Sequence, residues 1–531
     1  MNVSQMHRLD GSVKNGEGRN CWWVQMLPLL TACCSGALLF YVAGSTSVWD
    51  DEVNGYYLSR QPLASILQLM AENFHEDPPL YDLILWAWIK VAGYDQLMLR
   101  GLSIIFWLLC LCGIREVGAT LKGPRAGSLA MVIAALMPIH LLFPCSMRWY
   151  SLFACLSIWN FYFFVVAACG DQKRTHLVYL AGYVVTGAAM WYTNYSAPAV
   201  FLGHGLIVIS HMRSMLPAIT ACWAIIGLLY MPWLFVFIKQ LALEDPPAAL
   251  QDIAASLYAT VAGELSTPFA WHISVPALVL ALISTCLILY RWRECRLPAF
   301  MALELLVLLL ATRVMIPKRV MIITPYLAVA LGIAMQPLCQ SNQRLVRRLQ
   351  QGWIVCSALL LVPSGWNFAT RDGWLSYRWL VPFRGVVGGV LDDSRGAPRE
   401  LVMTNSNVAC FYARDAVGLN IAVRFPERIS MMPLFPLRED FDDRAKAILD
   451  IRLLEADRVV YVHENASTPY SRVGGWLEPE LRERGFELES VRRYTPLADV
   501  YVRWHPDSNL VPGGNDRYRL LVCTFQRKTP E

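Results

Sequence analysis

Charge is what this chain has least of: 16% of its 531 residues are Asp, Glu, Lys or Arg, while 56% are hydrophobic. With a mean hydropathy of +0.38, that balance excludes a soluble globular protein and implies a chain that crosses a bilayer repeatedly. Familiar signatures are missing too. No G-x-G-x-x-G or G-x-x-x-x-G-K-[ST] occurs, which removes the usual sequence basis for a nucleotide site. No repeat or low-complexity tract stands out. The fifteen cysteines form no C-x-x-C pair and are scattered through apolar windows, so they read as small helix residues and not as a zinc or disulfide framework. Only Cys410 and Cys523 fall in the polar C-terminal region, where one disulfide could form. The net charge of +5 sits in loops and calls for no nucleic-acid partner.

What the chain does have is long apolar runs. A hydrocarbon core of about 30 Å needs roughly 20 apolar residues per helix. Such windows lie near 22–44, 98–117, 126–143, 150–169, 176–193, 196–212, 216–238, 273–292, 296–312, 319–338 and 353–368, about eleven in all. The segment from Pro78 to Lys90 is apolar but short, and it carries Asp82 as well as Lys90. If it lies along the interface, one side of the membrane collects Arg8, Lys14, Arg19, Arg115, Lys122, Arg125, Lys173, Arg174, Arg213, Arg291, Arg293, Arg296, Arg344, Arg347 and Arg348. If it spans, most of these change sides. The positive-inside bias therefore predicts a juxtamembrane helix, a cytoplasmic N-terminus and an outward C-terminus.

The same reading divides the chain into three parts. Residues 1–21 form a cytoplasmic tail, and the apolar run after it is too long for a signal-peptide core, so it reads as a retained anchor. Residues 22–368 form a transmembrane domain with an outer loop at 45–97. Residues 369–531 form an extracytoplasmic soluble α/β domain, because strand-like runs at 400–404 and 458–462 alternate with helix-like runs at Asp443–Leu449 and Leu477–Arg482.

Two groups of charges then invite chemistry. Asp50, Asp51 and Glu52 are three consecutive carboxylates just outside the first span, where they could cap a helix, be solvated, or act on a lipid-borne substrate at the interface. Arg100, Arg148, Lys318 and Arg319 sit at outer helix ends against the positive-inside bias. Either an anionic partner such as a lipid phosphate or structural carboxylates would explain them. Trp149, Tyr150, Trp191, Tyr192 and Tyr195 could form an interfacial belt or pack along a prenyl chain or sugar face. Asp77 before Pro78 could cap the juxtamembrane helix or bind an acceptor. His75 and His140 read more simply as hydrogen-bonded structural residues than as metal ligands.

The ordered segments Asp50-Asp51-Glu52, His75-Glu76-Asp77-Pro78-Pro79-Leu80-Tyr81, Leu99-Arg100-Gly101-Leu102-Ser103, Ser146-Met147-Arg148-Trp149-Tyr150-Ser151-Leu152 and Trp191-Tyr192-Thr193-Asn194-Tyr195 resemble the bacterial family 39 glycosyltransferases of the GT-C type. These are relatives of dolichyl-phosphate-mannose protein mannosyltransferases and of the lipid A aminoarabinose transferase. Pro317-Lys318-Arg319 ahead of Ile323-Thr324-Pro325-Tyr326 is similar to their later R-Y…P motif, with Val320 in place of the tyrosine. The resemblance covers about residues 45–335. It departs from the family where H-x-P-P or H-P-P-L becomes Asp77-Pro78-Pro79, with His75 displaced.

The resemblance implies a polytopic α-helical GT-C fold and a polyprenyl-phosphate-linked sugar donor. The acceptor would be a glycan, lipid or protein hydroxyl, and the partners membrane lipids. A phosphate leaving group needs no general acid, only a base for the acceptor hydroxyl and cations for the departing charge. Asp51 aligns with the family's D-E pair and is the expected base. Glu52 and Asp50 could orient the acceptor or hold a divalent metal ion. Arg100, Arg148, Lys318 and Arg319 are the expected phosphate ligands, and His75, Asp77, Tyr81, Tyr150 and Tyr195 the expected acceptor or loop residues. The competing classes are a transporter or flippase and a ligase or polymerase of the O-antigen kind. The first would more often show two related halves with mid-membrane charges, and the second a large late outer loop.

Overall fold

The computed structural model describes residues 22–48, 50–72, 77–169, 173–241, 250–263, 271–312, 317–336, 344–370, 383–394, 400–404, 408, 420–421, 453, 456–464, 470–494 and 520–528. They fall into two compact units. One is built from the chain up to Gly44 and from Ser59 to Trp366, the other from Ser45–Leu58 and Asn367–Glu531.

In chain order the first helices are α1 (Trp22–Ser45), α2 (Asp50–Ser59), α3 (Leu63–Ala71), α4 (Leu80–Ala92), α5 (Gln96–Lys122) and α6 (Pro124–Leu136). There follow α7 (Tyr150–Cys169), α8 (Lys173–Trp191), α9 (Ala197–His211), α10 (Leu216–Leu241), α11 (Leu250–Ala262), α12 (Trp271–Tyr290), α13 (Trp292–Ala311), α14 (Thr324–Ala334) and α15 (Arg344–Thr370). Short 3-10 turns cover Pro138–Leu141, Phe143–Cys145, Arg213–Met215 and Pro317–Ile322. Among the described residues, six helices are long and apolar enough to cross a membrane, or seven if a bent pair counts as one span. The chain is a helical membrane protein.

Of the other expected spans, the one at 296–312 falls on the 20-residue α13, which carries Arg293, Glu294, Arg296 and Glu304, and the rest map onto shorter or bent helices. His176–Trp191, Ala197–His211 and Thr324–Ala334 are apolar but short. The window at 126–143 is bent by 69° between Leu136 and Pro138. The cause is local: Pro138 forbids the helical conformation to the residue before it, and Met137 is extended at φ −66°, ψ 123°. The window at 319–338 begins as a 3-10 turn and becomes α-helical only at Thr324, with Pro325 in the first turn. The juxtamembrane segment forms α4, whose 13 residues reach about 20 Å.

Hydrogen bonds between elements show which helix ends lie together. At one end Gln96 Nε2 and Arg100 Nη1 of α5 donate to the Ala43 carbonyl of α1, at 2.8 and 2.9 Å. His140 pairs there with Thr324 Oγ1 at 2.8 Å, and its Nδ1 with the Ala134 carbonyl at 2.6 Å, which matches its structural reading. At the other end Gln336 Nε2 donates to the Lys122 carbonyl at 2.9 Å, and Arg291 Nη1 to the Gln336 carbonyl at 2.9 Å. Glu294 joins Arg291 at 2.5 Å and Lys122 at 3.6 Å. α14 therefore runs antiparallel to α6, with Thr324 at the end where α7 begins. The α5–α6 hairpin is tight because both helices place glycine at the contact. A Cβ on Gly127 would lie 2.2 Å from the Arg115 carbonyl oxygen, the close approach that holds helices together where lipid offers no hydrophobic drive.

The second unit holds α2 and, C-terminally, α16 (Phe383–Ser394), β1 (Glu400–Thr404), β2 (Asn420–Ile421), β3 (Arg458–Glu464), α17 (Tyr470–Glu483), β4 (Phe486–Tyr494) and β5 (Leu520–Arg527). The strands form one mixed sheet in the order β2-β1-β3-β5-β4. β1 pairs in parallel with β2 and β3, while β5 runs antiparallel to β3 and β4. The strand-like runs at 400–404 and 458–462 are thus neighbours, and the helix-like run at Leu477–Arg482 lies within α17. Asp443–Leu449 and Cys410 lie outside the described residues. Val459, Tyr461, His463 and Cys523 are fully buried, and burial drives the Tyr461 phenol far above its usual range. Among the described strands β4 is an edge. It carries Glu487, Glu489 and Arg492, and a register shift interrupts it between Leu488 and Ser490.

Candidate functional site

Asp50, Asp51 and Glu52 open helix α2. Carboxylates in a first helical turn suit the positive end of the helix dipole. Glu52 is fully buried on the face that also buries Val53 and Tyr56, the i, i+1, i+4 pattern of one helix side. Glu52 thus places a carboxyl group on the buried side of a ten-residue helix. The side chains of Asp50 and Asp51 lie outside the described part, as does the whole of His75.

In the first unit, sequence segments far apart in the chain meet at the end where α7 begins. Arg148 Nη2 contacts Asp77 Oδ2 at 2.6 Å, with the two side chains only 10% and 13% exposed. The other carboxylate oxygen, Oδ1, accepts from Asn194 Nδ2 at 3.2 Å. Three residues on, the Leu80 amide donates to the Tyr192 carbonyl at 2.8 Å. Tyr81, on the first turn of α4, is buried with its hydroxyl 2.9 Å from Ser103 Oγ, and Ser103 reaches the Arg148 carbonyl at 3.4 Å. Four of the segments that carried the family resemblance are therefore joined side chain to side chain or to backbone. Asp77 is not the cap of α4: the N-cap position is Pro79, without a side-chain cap bond.

Tyr195 extends this junction. Its hydroxyl donates to Gln240 Oε1 and receives the Trp233 indole at 3.3 Å, while Gln240 Nε2 binds the Met70 carbonyl at 3.0 Å. Desolvation pushes the Tyr195 phenol up to about 12, and the nearby Asp77 charge adds to the shift. Tyr195 and Asn194 thus hold both ends of the α3–α4 connection from one turn. Tyr150 is buried, with its ring edge-on to Trp149 at 4.7 Å and to Phe143 at 5.8 Å.

Of the expected phosphate ligands, Arg100 is fully buried and tied to α1. Lys318 and Arg319 are half-buried in the 3-10 turn Pro317–Ile322. That turn packs on α7 and immediately precedes Thr324, so it belongs to the same end of the unit as Arg148. Arg148, Lys318 and Arg319 thus lie at one end of the first unit, and cations so placed suit an anion, while the Arg100 guanidinium is engaged by the Ala43 carbonyl. Among the described residues no group of three His, Cys, Asp or Glu is placed to hold a metal ion. Sequence reasoning did not single out Asn194, Ser103 or Gln240. Asn194 and Ser103 lay within quoted segments, but neutral polar residues carry no charge-pattern signal.

No protein-family model matches the chain, and no curated protein matches it by sequence. Solved structures do. The chain is similar to ArnT from Cupriavidus metallidurans bound to undecaprenyl phosphate, with a TM-score of 0.57 at 11% identity over 95% of this chain and 98% of that one. It is similar to the same protein in the apo state, with a TM-score of 0.58 at 11% identity over 93% and 97%. It also resembles the mycobacterial arabinofuranosyltransferase AftD, with a TM-score of 0.50 at 14% identity, over 96% of this chain and 40% of that one. At such identity the likeness establishes the fold, which is the GT-C fold.

Proposed function

We propose that the protein is a membrane glycosyltransferase that moves a sugar from a polyprenyl-phosphate donor to an acceptor hydroxyl at the outer face of the membrane. The observation that carries this reading is the near end-to-end match of the chain to a GT-C structure that holds undecaprenyl phosphate. The cationic end of the helical unit supports it, since a lipid phosphate needs several donors at the interface.

In this reading Asp51 takes the proton of the acceptor hydroxyl as the new bond to the anomeric carbon forms. The bond from that carbon to the phosphate oxygen breaks, and its electron pair leaves on the phosphate. Attack opposite the leaving group inverts the anomeric centre. Arg100, Arg148, Lys318 and Arg319 balance the charge that grows on the phosphate. Tyr81 and Tyr195 act through the contacts that hold α4 and the α3–α4 connection, and Tyr150 lines the acceptor side or its loop. Glu52 and Asp50 orient the acceptor or hold a divalent cation, and activity in the presence of a chelator separates these two roles. Eleven spans and a cytoplasmic N-terminus, with an α/β domain outside, complete the reading, and the support for this topology is the distribution of Lys and Arg along the sequence.

The test is direct. Membranes containing the protein are incubated with polyprenyl-phosphate carrying a labelled sugar, and the label is followed. Transfer to a new product supports the proposal. Movement of intact labelled lipid across the bilayer, with the sugar still attached, would make the protein a flippase.

A further inference from the structure

Arg148 and Asp77 are joined in an unusual way for an ion pair this dry. A guanidinium and a carboxylate can meet by two parallel bonds, which is their strongest geometry. Here a single contact joins them, from Nη2 to Oδ2 at 2.6 Å. Oδ1 is turned to the Asn194 amide at 3.2 Å, so the carboxylate is held on its far side by a neutral donor from another turn. Asp77 would therefore keep a partner if Arg148 let it go. The pair sits at the end of the unit that also carries Lys318 and Arg319, with the two side chains 10% and 13% exposed.

We infer that Asp77 is a stand-in anion, occupying the Arg148 guanidinium while no phosphate is bound and exchanging with the phosphate group of the lipid. This rests on the glycosyltransferase reading and deepens it by giving Asp77 a role in product release. The donor is a phosphodiester with one negative charge. The product left after transfer is a phosphate monoester, which carries more negative charge near neutral pH and would be bound more tightly by the same cations. A carboxylate already tethered beside the arginine competes for it at high effective concentration and returns when the product leaves. Asp77 is thus a positioning residue for the phosphate site.

Competition makes a prediction that a purely structural ion pair does not. The full-length protein in nanodiscs is titrated with a polyprenyl monophosphate, with the matching uncharged polyprenol, and with inorganic phosphate as a competitor. Asp77→Asn keeps the Asn194 contact and nearly the same volume but removes the competing charge. It should bind the lipid phosphate about tenfold tighter than wild type, while polyprenol binding does not change. Asp77→Glu restores the charge and should return affinity towards wild type. If inorganic phosphate also competes better against Asp77→Asn, the site reads any phosphate; if only the lipid gains, it reads the lipid-borne headgroup. In turnover assays Asp77→Asn should lower the apparent KM for donor and also lower kcat, because product leaves slowly. Unfolding temperatures of all variants separate these effects from misfolding.

Unchanged or weaker lipid-phosphate binding by Asp77→Asn, at a normal unfolding temperature, overturns the inference while leaving the glycosyltransferase reading in place. Failure of wild type itself to bind the lipid phosphate removes both.

Discussion

Asp51→Asn exchanges a carboxylate for an amide of nearly the same volume, so it removes a base without removing bulk. Transfer by the purified variant should fall by at least about a hundredfold, with unfolding temperature unchanged, and Glu52→Gln should cost less. The check is single-turnover transfer, which reports chemistry separately from product release. Wild-type rates in that assay would end the role of Asp51. Arg319→Ala should weaken donor use by about one to two orders of magnitude, since a charge-assisted hydrogen bond is worth roughly 1.5–3 kcal/mol. Arg319→Lys should recover part of that, as the charge survives while the planar fork does not. At this scale the sequence showed which charges mattered but not whom they met. Arg148 stood out because it opposes a statistical bias in loop charge. Its partner Asp77 is 71 residues away, and no local pattern encodes such a pairing. Asn194 was invisible for a different reason: a neutral amide satisfying a carboxylate looks in sequence like any turn asparagine.

Helices in this protein are placed by breaks and contacts that hydropathy does not record. The bend after Leu136 was written in Pro138, yet a window average smooths over a single residue. The apolar part of α8 and the whole of α9 and α14 are shorter than the apolar runs read from the sequence. Asp82 and Lys90 made the α4 segment ambiguous, and the positive-inside bias of other residues decided its reading. Asp82 is buried, and the Lys90 ammonium lies over the Trp86 ring at 3.2 Å. The α5–α6 contact supplies an element-scale test. Gly127→Ala places a methyl group 2.2 Å from the Arg115 carbonyl oxygen, and that atom belongs to backbone that cannot rotate away. The hairpin must open, and the variant should lose about 1–3 kcal/mol of stability. Thermal unfolding in detergent checks this, with Gly227→Ala, where no atom lies within 4 Å of the added group, as the neutral control.

At the scale of the whole chain the proposed topology makes a prediction: eleven passes from a cytoplasmic start would end outside, so a reporter active only in the cytoplasm should stay silent when fused after residue 400. Strong reporter activity there would mean an even number of passes and a crossing by α4. The change of composition near residue 369 was plain in the sequence because charge returns abruptly. The assignment of Ser45–Leu58 to the same compact unit as the C-terminal region was not, because a contact between distant stretches leaves no mark on either. The GT-C fold was legible only through six short ordered segments, each weak alone, whose order along the chain carried the information.

The β4 edge bears on how copies of this protein share a crowded bilayer. Molecules confined to a surface meet in a fixed orientation, so an exposed strand edge on one copy is repeatedly presented to its neighbours. Unpaired backbone groups on a flat, apolar edge would zip such neighbours together. β4 carries Glu487, Glu489 and Arg492 along its length, and its hydrogen-bonding rhythm is broken between Leu488 and Ser490, so a second copy offered in register would find mismatched donors and buried charge. Among the described strands, β4 is therefore a poor template for edge-to-edge pairing.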